Sequence, residues 1–301
     1  MPEGHVIHRL ARRLNAHFAG QALRVSSPQG RFATEAALID GRSLRKASAW
    51  GKHLFLDFED ALSEGEVTEP RHIVHIHLGL IGSFRIEPYD SNSPWGKVRL
   101  HLHKAVDDLD QSSGAYQSSG ALGGPEAANL RGPQWCRLIT EVEMEAEIGK
   151  LGADPLRPAD PLNLELRDEM FRRLARSRRT IASLLMDQKF FAGVGNIYRA
   201  EVLFRLGINP ETRGDVASER KEEIWEDLVR LMAYGEQHGR IDTVREQHQP
   251  EAMGRAPRED DHGGEVYVYR RAGQPCLVCG DEVQHAVVEG RNLFWCPKCQ
   301  H

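Results

Sequence analysis

Four of the chain's five cysteines fall in its last 26 residues, spaced Cys276-x2-Cys279-x16-Cys296-x2-Cys299. Each CxxC knuckle lets two thiolates approach one ion. A pair of knuckles closes a tetrahedral zinc site with no open position for catalysis. The spacing therefore predicts one structural Zn2+ in a ribbon hairpin, ahead of a redox pair, an iron–sulfur site or chance. So short a segment has little core, and the metal supplies its folding energy. The fifth, Cys136, stands alone and reads as a packed, inert thiol.

The rest of the chain is long enough to bury a sizeable core. At 301 residues it amounts to about two domains. Mean hydropathy is -0.50, and nowhere do ~18 apolar residues run uninterrupted, which argues against a membrane partner. The start, Met1-Pro2-Glu3-Gly4-His5-Val6, has neither a basic nor an apolar leader region, so a cytoplasmic protein is expected. A net charge of -5 argues weakly against a polyanion partner, but its distribution argues otherwise. Residues 1–52 hold nine Arg/Lys against three Asp/Glu, and residues 167–179 hold six Arg against two acids, whereas 211–265 hold eight basic against fifteen acidic.

Val6, Ile7, Leu10, Leu14 and Phe18 lie on one face of an opening helix that stops at Gly20. From there to about residue 101 short strands are expected at 22–26, 44–49, 53–58, 72–78, 83–86 and 98–103, the pattern of a β-sandwich or barrel. Residues 104–128 carry no period and read as a long surface loop. After Leu130-Arg131-Gly132-Pro133 helices are expected at 138–149, 164–177, 180–189, 196–206 and 217–235. Residues 239–265 read as irregular, and Val266–Tyr269 as the start of a final short-stranded segment. The acid-rich helix at 217–230 is most simply a solvated face.

Three further features carry chemistry. Removal of Met1 would leave Pro2 with a free secondary amine, which titrates about two units below a lysine and is lowered further at a helix start. Such an amine attacks carbonyl-level carbon, although Met-Pro-Glu is also a common helix opening. Lys52, in Trp50-Gly51-Lys52-His53, sits at a glycine turn between strands, where it is either a proton donor or a surface residue. Gly193-Val194-Gly195-Asn196 joins two helices, and its amides, with Asn196 at the cap, would suit a DNA phosphate, although helix packing alone also explains the glycines. His75 and His77 share a strand face, most simply as alternating polar positions.

Together and in this order, the PEG start, WGKHLF, HLGLIGSFR at 77–85, LGADPL at 151–156, LLMDQ..FAGVGNIYRAEVLF and GRNLFWCPKCQ resemble the formamidopyrimidine-DNA glycosylase and endonuclease VIII family. The resemblance runs end to end except for the 104–128 loop and the 240–262 insertion. It implies an α+β multidomain chain: an N-terminal catalytic β-sandwich with a leading helix (2–136), a helical helix-two-turn-helix domain (137–238), an irregular insertion or linker (239–265) and a C-terminal zinc-ribbon β-hairpin (266–301), with a DNA cleft. It also implies that Pro2 is the Schiff-base nucleophile at C1′, Glu3 its acid partner and Lys52 the proton donor of β-elimination. Arg291 would serve δ-elimination and grip phosphate, and Asn196 with Gly195 would bind phosphate. Arg131 is a further expected DNA contact, and Leu80, in Gly79-Leu80-Ile81, the expected wedge into the void left by an extruded base.

Leu80 replaces the family's usual methionine, and Asn129-Leu130-Arg131-Gly132-Pro133 replaces a D-x-R-R-F-G stretch. With the terminal FWCPKCQH these features look like endonuclease VIII of actinobacterial type. The expectation is a monomeric, cytoplasmic, nucleoid-associated enzyme of base excision repair that excises oxidised pyrimidines from damaged DNA and cleaves the strand by β,δ-elimination. The alternatives are an 8-oxoguanine or formamidopyrimidine glycosylase of the same family, and a DNA-binding module that has lost catalysis. The joint presence of Pro2, Glu3, Lys52 and Arg291 argues against the last. A generic zinc-ribbon transcription factor leaves the PEG start unexplained.

Overall fold

The computed structural model describes residues 2–59, 70–90, 94, 96–105, 125–259 and 264–301. Most of the expected 104–128 loop and the end of the 240–262 insertion lie outside these residues. The described chain forms two compact units. Unit 1 is Met1–Pro2 with Leu10–Ile148, and unit 2 is Glu3–Arg9 with Gly149–His301. Helix α1 (Gly4–Phe18) contributes residues to both.

Unit 1 holds two four-stranded antiparallel sheets. One orders β1 (Leu23–Ser26), β6 (Val98–Lys104), β7 (Glu126–Arg131) and β5 (Ser83–Pro88); the other orders β2 (Leu44–Trp50), β3 (His53–Phe58), β4 (Ile73–His77) and β8 (Trp135–Ile139). Their inward residues, including Leu23, Leu54, Val74, Leu100 and Leu130, are fully buried and make the core of the expected β-sandwich. Burying alternate residues on both sheets fixes the register, because a one-residue slip would turn Leu54 and Leu56 outward.

Three elements differ from the expectation. Helix α2 (Ala33–Ile39) was not expected: it is short, lacks a side-chain cap and is held by burial of Ala36 and Ile39. Strands β7 (Glu126–Arg131) and β8 (Trp135–Ile139) take in the end of the expected 104–128 loop and the first two residues of the helix expected at 138–149; Trp135-x-x-Leu138-Ile139 has a helical period, but pairing with β4 prevails. Helix α3 (Glu141–Ile148) therefore begins only after Thr140, whose hydroxyl and the Glu143 carboxylate cap each other's backbone amides.

Unit 2 packs α4 (Pro161–Leu174), α5 (Ile181–Met186), α6 (Asn196–Arg205), α7 (Gly214–Ala217), α8 (Lys221–His238) and α9 (Pro250–Met253) with the hairpin β9 (Gln284–Val288) and β10 (Arg291–Trp295). Asp160 caps α4 by accepting from Asn163 N, and Pro161 fills its first turn. The face of α8 is not wholly solvated. Asp227 is 4% exposed and receives a two-pronged bond from Arg205 of α6. One core embraces Ile197, Phe204 and Leu228 together with Leu293, Phe294 and Cys296 of the hairpin. The metal-binding segment thus completes the core of the helical body.

Val266–Tyr269 alternates as a strand would, yet it is irregular, because its amides are claimed by a carboxylate. Tyr267 N donates to Glu201 Oε2, and Val268 N and Tyr269 N donate to Oε1, at 2.7–2.9 Å. The Thr243 hydroxyl donates to the same Oε2. Glu201 is fully buried in α6, and these donors replace the water its charge has lost. No helix of the described residues is long and apolar enough to cross a membrane.

Candidate active site

Glu3 is 2% exposed, and its Oε1 accepts the amide of Ile197 at 2.8 Å. That amide lies in the first turn of α6, where the helix dipole favours a negative group. The helix is therefore capped by a side chain 194 positions away in the sequence. The cap position itself belongs to Gly195, and Asn196 is the first helical residue, which corrects the expectation of Asn196 as cap. Glycine is required at 195 by contact: a Cβ there would lie 2.4 Å from Glu3 Cδ. Gly4 fits the same turn. Its amide donates to Gly193 O at 2.8 Å, and a Cβ on it would lie 2.9 Å from Gly193 Cα. Glu3-Gly4 and the GVGN turn are thus one packed feature. Behind them the Tyr198 hydroxyl is held well above its ordinary range, by burial and then by the negative Glu3.

The side chain of Asn196 reaches the hairpin, donating from Nδ2 to Asn292 O at 2.8 Å. Arg199 Nη2 bonds Asn196 Oδ1 and, at 3.0 Å, the same Asn292 carbonyl. Arg199 is 1% exposed. Burial and the charge of Arg291 lower its guanidinium to about 10, which keeps it protonated at neutral pH. Arg291, Arg199 and Arg179 line one cavity of about 210 Å³ with Ser183, Asp187 and Glu289. The expected Arg291 therefore lines a cavity with Arg199 and Arg179, which the sequence reading missed, and the expected Asn196 is bonded to Arg199. A charge inside the apolar run Asn196-Ile197-Tyr198-Arg199-Ala200-Glu201-Val202 was the available clue.

The Sγ atoms of Cys276, Cys279, Cys296 and Cys299 all lie within 4.8 Å of one another, with 3.5 Å between Cys279 and Cys296 and 3.9 Å between Cys276 and Cys299. Tetrahedral zinc with bonds of ~2.3 Å requires sulfurs about 3.8 Å apart, so these thiols fit one structural ion. Gln300 ties the knuckle to the helical body, accepting from Cys296 N at 2.8 Å and donating to Ile208 O at 2.9 Å.

In unit 1, Pro2 is half-buried. Lys52 stands on the two-residue turn joining β2 to β3, where Gly51 takes a positive φ of 57°. Beside it, a ladder of rings crosses β3, β4 and β8. His53 stacks on His75, and His77 stacks on Trp135 at 4.6 Å. Burial, followed by the charges of His75 and His77, depresses His53 to about 3; burial and Lys52 depress His77. These histidines are stacked cross-strand neighbours, and among the described residues only the four cysteines are grouped to hold a metal. Burial pushes the Cys136 thiol up to about 12, in keeping with an inert group. Leu80 and Ile81 are 67% and 88% exposed on the β4–β5 loop, so neither is strand core. Arg131 forks onto Glu87 at 2.9 and 3.0 Å, so its charge is balanced locally.

The sheets of unit 1, the helical body and the four-cysteine hairpin that carries Arg291 are the parts of a DNA glycosylase of base excision repair. Family models agree along the chain: a formamidopyrimidine-DNA glycosylase N-terminal domain over 1–116, its H2TH domain over 151–245, and the zinc finger found in FPG and IleRS over 273–301. The chain belongs to the formamidopyrimidine-DNA glycosylase and endonuclease VIII family. It is 42% identical over 309 residues to the "Endonuclease 8 1" of Mycobacterium bovis and of Mycobacterium tuberculosis, covering 100% of both chains. It is 30% identical to a formamidopyrimidine-DNA glycosylase of Rhodopseudomonas palustris over 88% of this chain and 86% of that one. The crystal structure of the MutM (Fpg) protein of Thermus thermophilus matches 99% of this chain and 98% of that one, with a TM-score of 0.67 and 27% identity.

Proposed function

We propose that the protein is a bifunctional glycosylase and abasic-site lyase that excises oxidised pyrimidines, acting as a monomer on nucleoid DNA in the cytoplasm. The observation that carries this reading is the seat of Glu3. Next in sequence to Pro2 stands a buried carboxylate bonded to the Ile197 amide of α6, which supports a fixed acid at this end of the chain.

In the proposed reaction Met1 has been removed. The Pro2 nitrogen attacks C1′ as the C1′–N bond to the base breaks, and the base leaves with a proton. Glu3 is the acid partner of this step. The amine's proton then passes to O4′ as the C1′–O4′ bond opens, leaving an iminium that acidifies C2′–H; that proton is lost to water and the 3′ phosphate leaves by β-elimination, with Lys52 as proton donor. Arg291 grips phosphate and serves δ-elimination at the 5′ side; a forked guanidinium suits phosphate as leaving group. Asn196 and Gly195 hold backbone phosphate, and exposed Leu80 fills the void in the stack. At Arg131 a phosphate has to compete with Glu87. The structural zinc takes no part in these steps; its cysteines hold the strand that carries Arg291.

The pyrimidine preference rests on Leu80, on Leu130-Arg131-Gly132-Pro133 and on the full-length similarity to proteins named endonuclease 8. It is tested by single-turnover excision from matched oligonucleotides bearing thymine glycol, dihydrouracil or 8-oxoguanine opposite cytosine. Faster excision of either pyrimidine lesion is expected. Faster release of 8-oxoguanine overturns the preference and leaves the Pro2 chemistry standing.

A further inference from the structure

The turn between β9 and β10 consists of Glu289 and Gly290, both left-handed, with φ of 50° and 72°. Two-residue turns of this kind favour Asn, Asp or Gly at the first position, and a glutamate there is strained. A residue that breaks a local rule needs a reason outside the turn. The Glu289 side chain supplies one. Its Oε1 accepts the Ser183 hydroxyl at 2.5 Å and lies 4.0 Å from Arg179 Nη2. The same Nη2 donates to Ser183 Oγ at 2.8 Å, while Nη1 bonds Asp187 at 2.7 Å. Arg199 and Arg291 line the same cavity, so three guanidiniums face two carboxylates. The side chains of Arg179 and Glu289 are 45% and 60% exposed, which leaves the position open to a macromolecule.

A carboxylate that accepts from a hydroxyl and sits among arginines has the bonding pattern of a bound phosphodiester. We propose that Arg179, Ser183 and Arg291 form a seat for a phosphodiester of DNA, which the Glu289 carboxylate fills and vacates when DNA binds. Glu289 is then a built-in competitor that weakens binding and speeds release. The inference rests on the reading of the protein as a DNA-binding glycosylase.

The test measures affinity by fluorescence anisotropy, with the full-length zinc-loaded protein and duplexes either undamaged or carrying a tetrahydrofuran abasic analogue, from about 50 to 200 mM salt. Glu289→Gln keeps an acceptor for Ser183 and removes the charge. It is expected to tighten binding about five- to thirtyfold at low salt. It should also steepen the log–log salt slope by about 0.9, since one more guanidinium meets phosphate. Glu289→Gly, which suits the left-handed turn, is expected to do the same. Arg179→Gln added to Glu289→Gln is expected to restore the wild-type slope. Unchanged or weaker binding by both single variants, with zinc content and melting temperature intact, reduces Glu289 to a turn clamp and overturns the proposal. Saturation by inorganic phosphate alone that leaves DNA affinity unaltered assigns the seat to free anions and also overturns it. A wild-type protein that binds neither duplex removes the underlying reading as well.

Discussion

Replacing Gly195 with alanine sets two physical effects of opposite sign against each other. The backbone there, φ -130° and ψ -163°, is open to alanine, so the loss of unfolded-state freedom alone stabilises the variant by ~0.4–1 kcal/mol. The packing demands the reverse. The new Cβ would lie 2.4 Å from Glu3 Cδ, 2.6 Å from Cγ and 2.7 Å from Oε1. Glu3 must then leave the Ile197 amide, giving up a charge-assisted bond of ~1.5–3 kcal/mol in a buried site. The balance is a net destabilisation of about 1–2 kcal/mol. Glu3 is also the proposed acid partner, and a comparable loss of about 1–2 kcal/mol in the transition state slows base release ~5–30-fold. Thermal unfolding and single-turnover excision on one lesion-bearing duplex measure both effects. Glu3→Gln, which keeps an acceptor for Ile197, is expected to melt near the wild type while losing most activity. A Gly195→Ala protein with a raised melting temperature and a wild-type rate refutes the argument that the turn seats Glu3.

Cys296→Ser is expected to lose zinc and to weaken DNA binding at least tenfold, because Cys296, Leu293 and Phe294 belong to the helical core and position Arg291; full zinc by plasma mass spectrometry with normal affinity contradicts this. Affinity is expected to fall steeply with salt despite the net charge of -5, with a log–log slope of about -3 or steeper for three or more phosphates; a flat plot denies a basic binding face. Stability is expected to fall on acidification below about pH 6.5. His53 keeps a depressed value of about 3 in the fold, so between the two values the unfolded chain binds the extra proton. The slope is at most ~1.4 kcal/mol per pH unit from this group, and denaturant titrations should show it diminished in His53→Gln.

The sequence carries those parts of the fold whose chemistry is local. The four cysteines announce their metal by spacing, and the early strands follow from alternation and glycine turns. Elements decided by distant partners were not legible. Val266–Tyr269 alternates like a strand, but Glu201 takes its amides, a competition between residues more than sixty positions apart. Strand β8 becomes a strand only because β4 is there to pair with it. The site divides the same way. Glu3, Asn196 and Arg291 lie in motif stretches, and the family resemblance singles them out. Arg199 sits inside a buried helix, where the expectation of apolar residues hides a guanidinium whose Nη2 bonds Asn196 and the carbonyl of Asn292. Arg179 and Glu289 acquire meaning only when the hairpin turn is set against α5.

The proposed chemistry turns on the amine of Pro2. Borohydride reduction during reaction with abasic-site DNA, followed by peptide mapping of the cross-linked protein, tests it most directly. A stable adduct is expected whose DNA remnant maps to the N-terminal peptide, on the nitrogen of Pro2, and none is expected when Met1 is retained. An adduct on Lys52 or another lysine, or one of undiminished yield from protein with a blocked amino terminus, would contradict it.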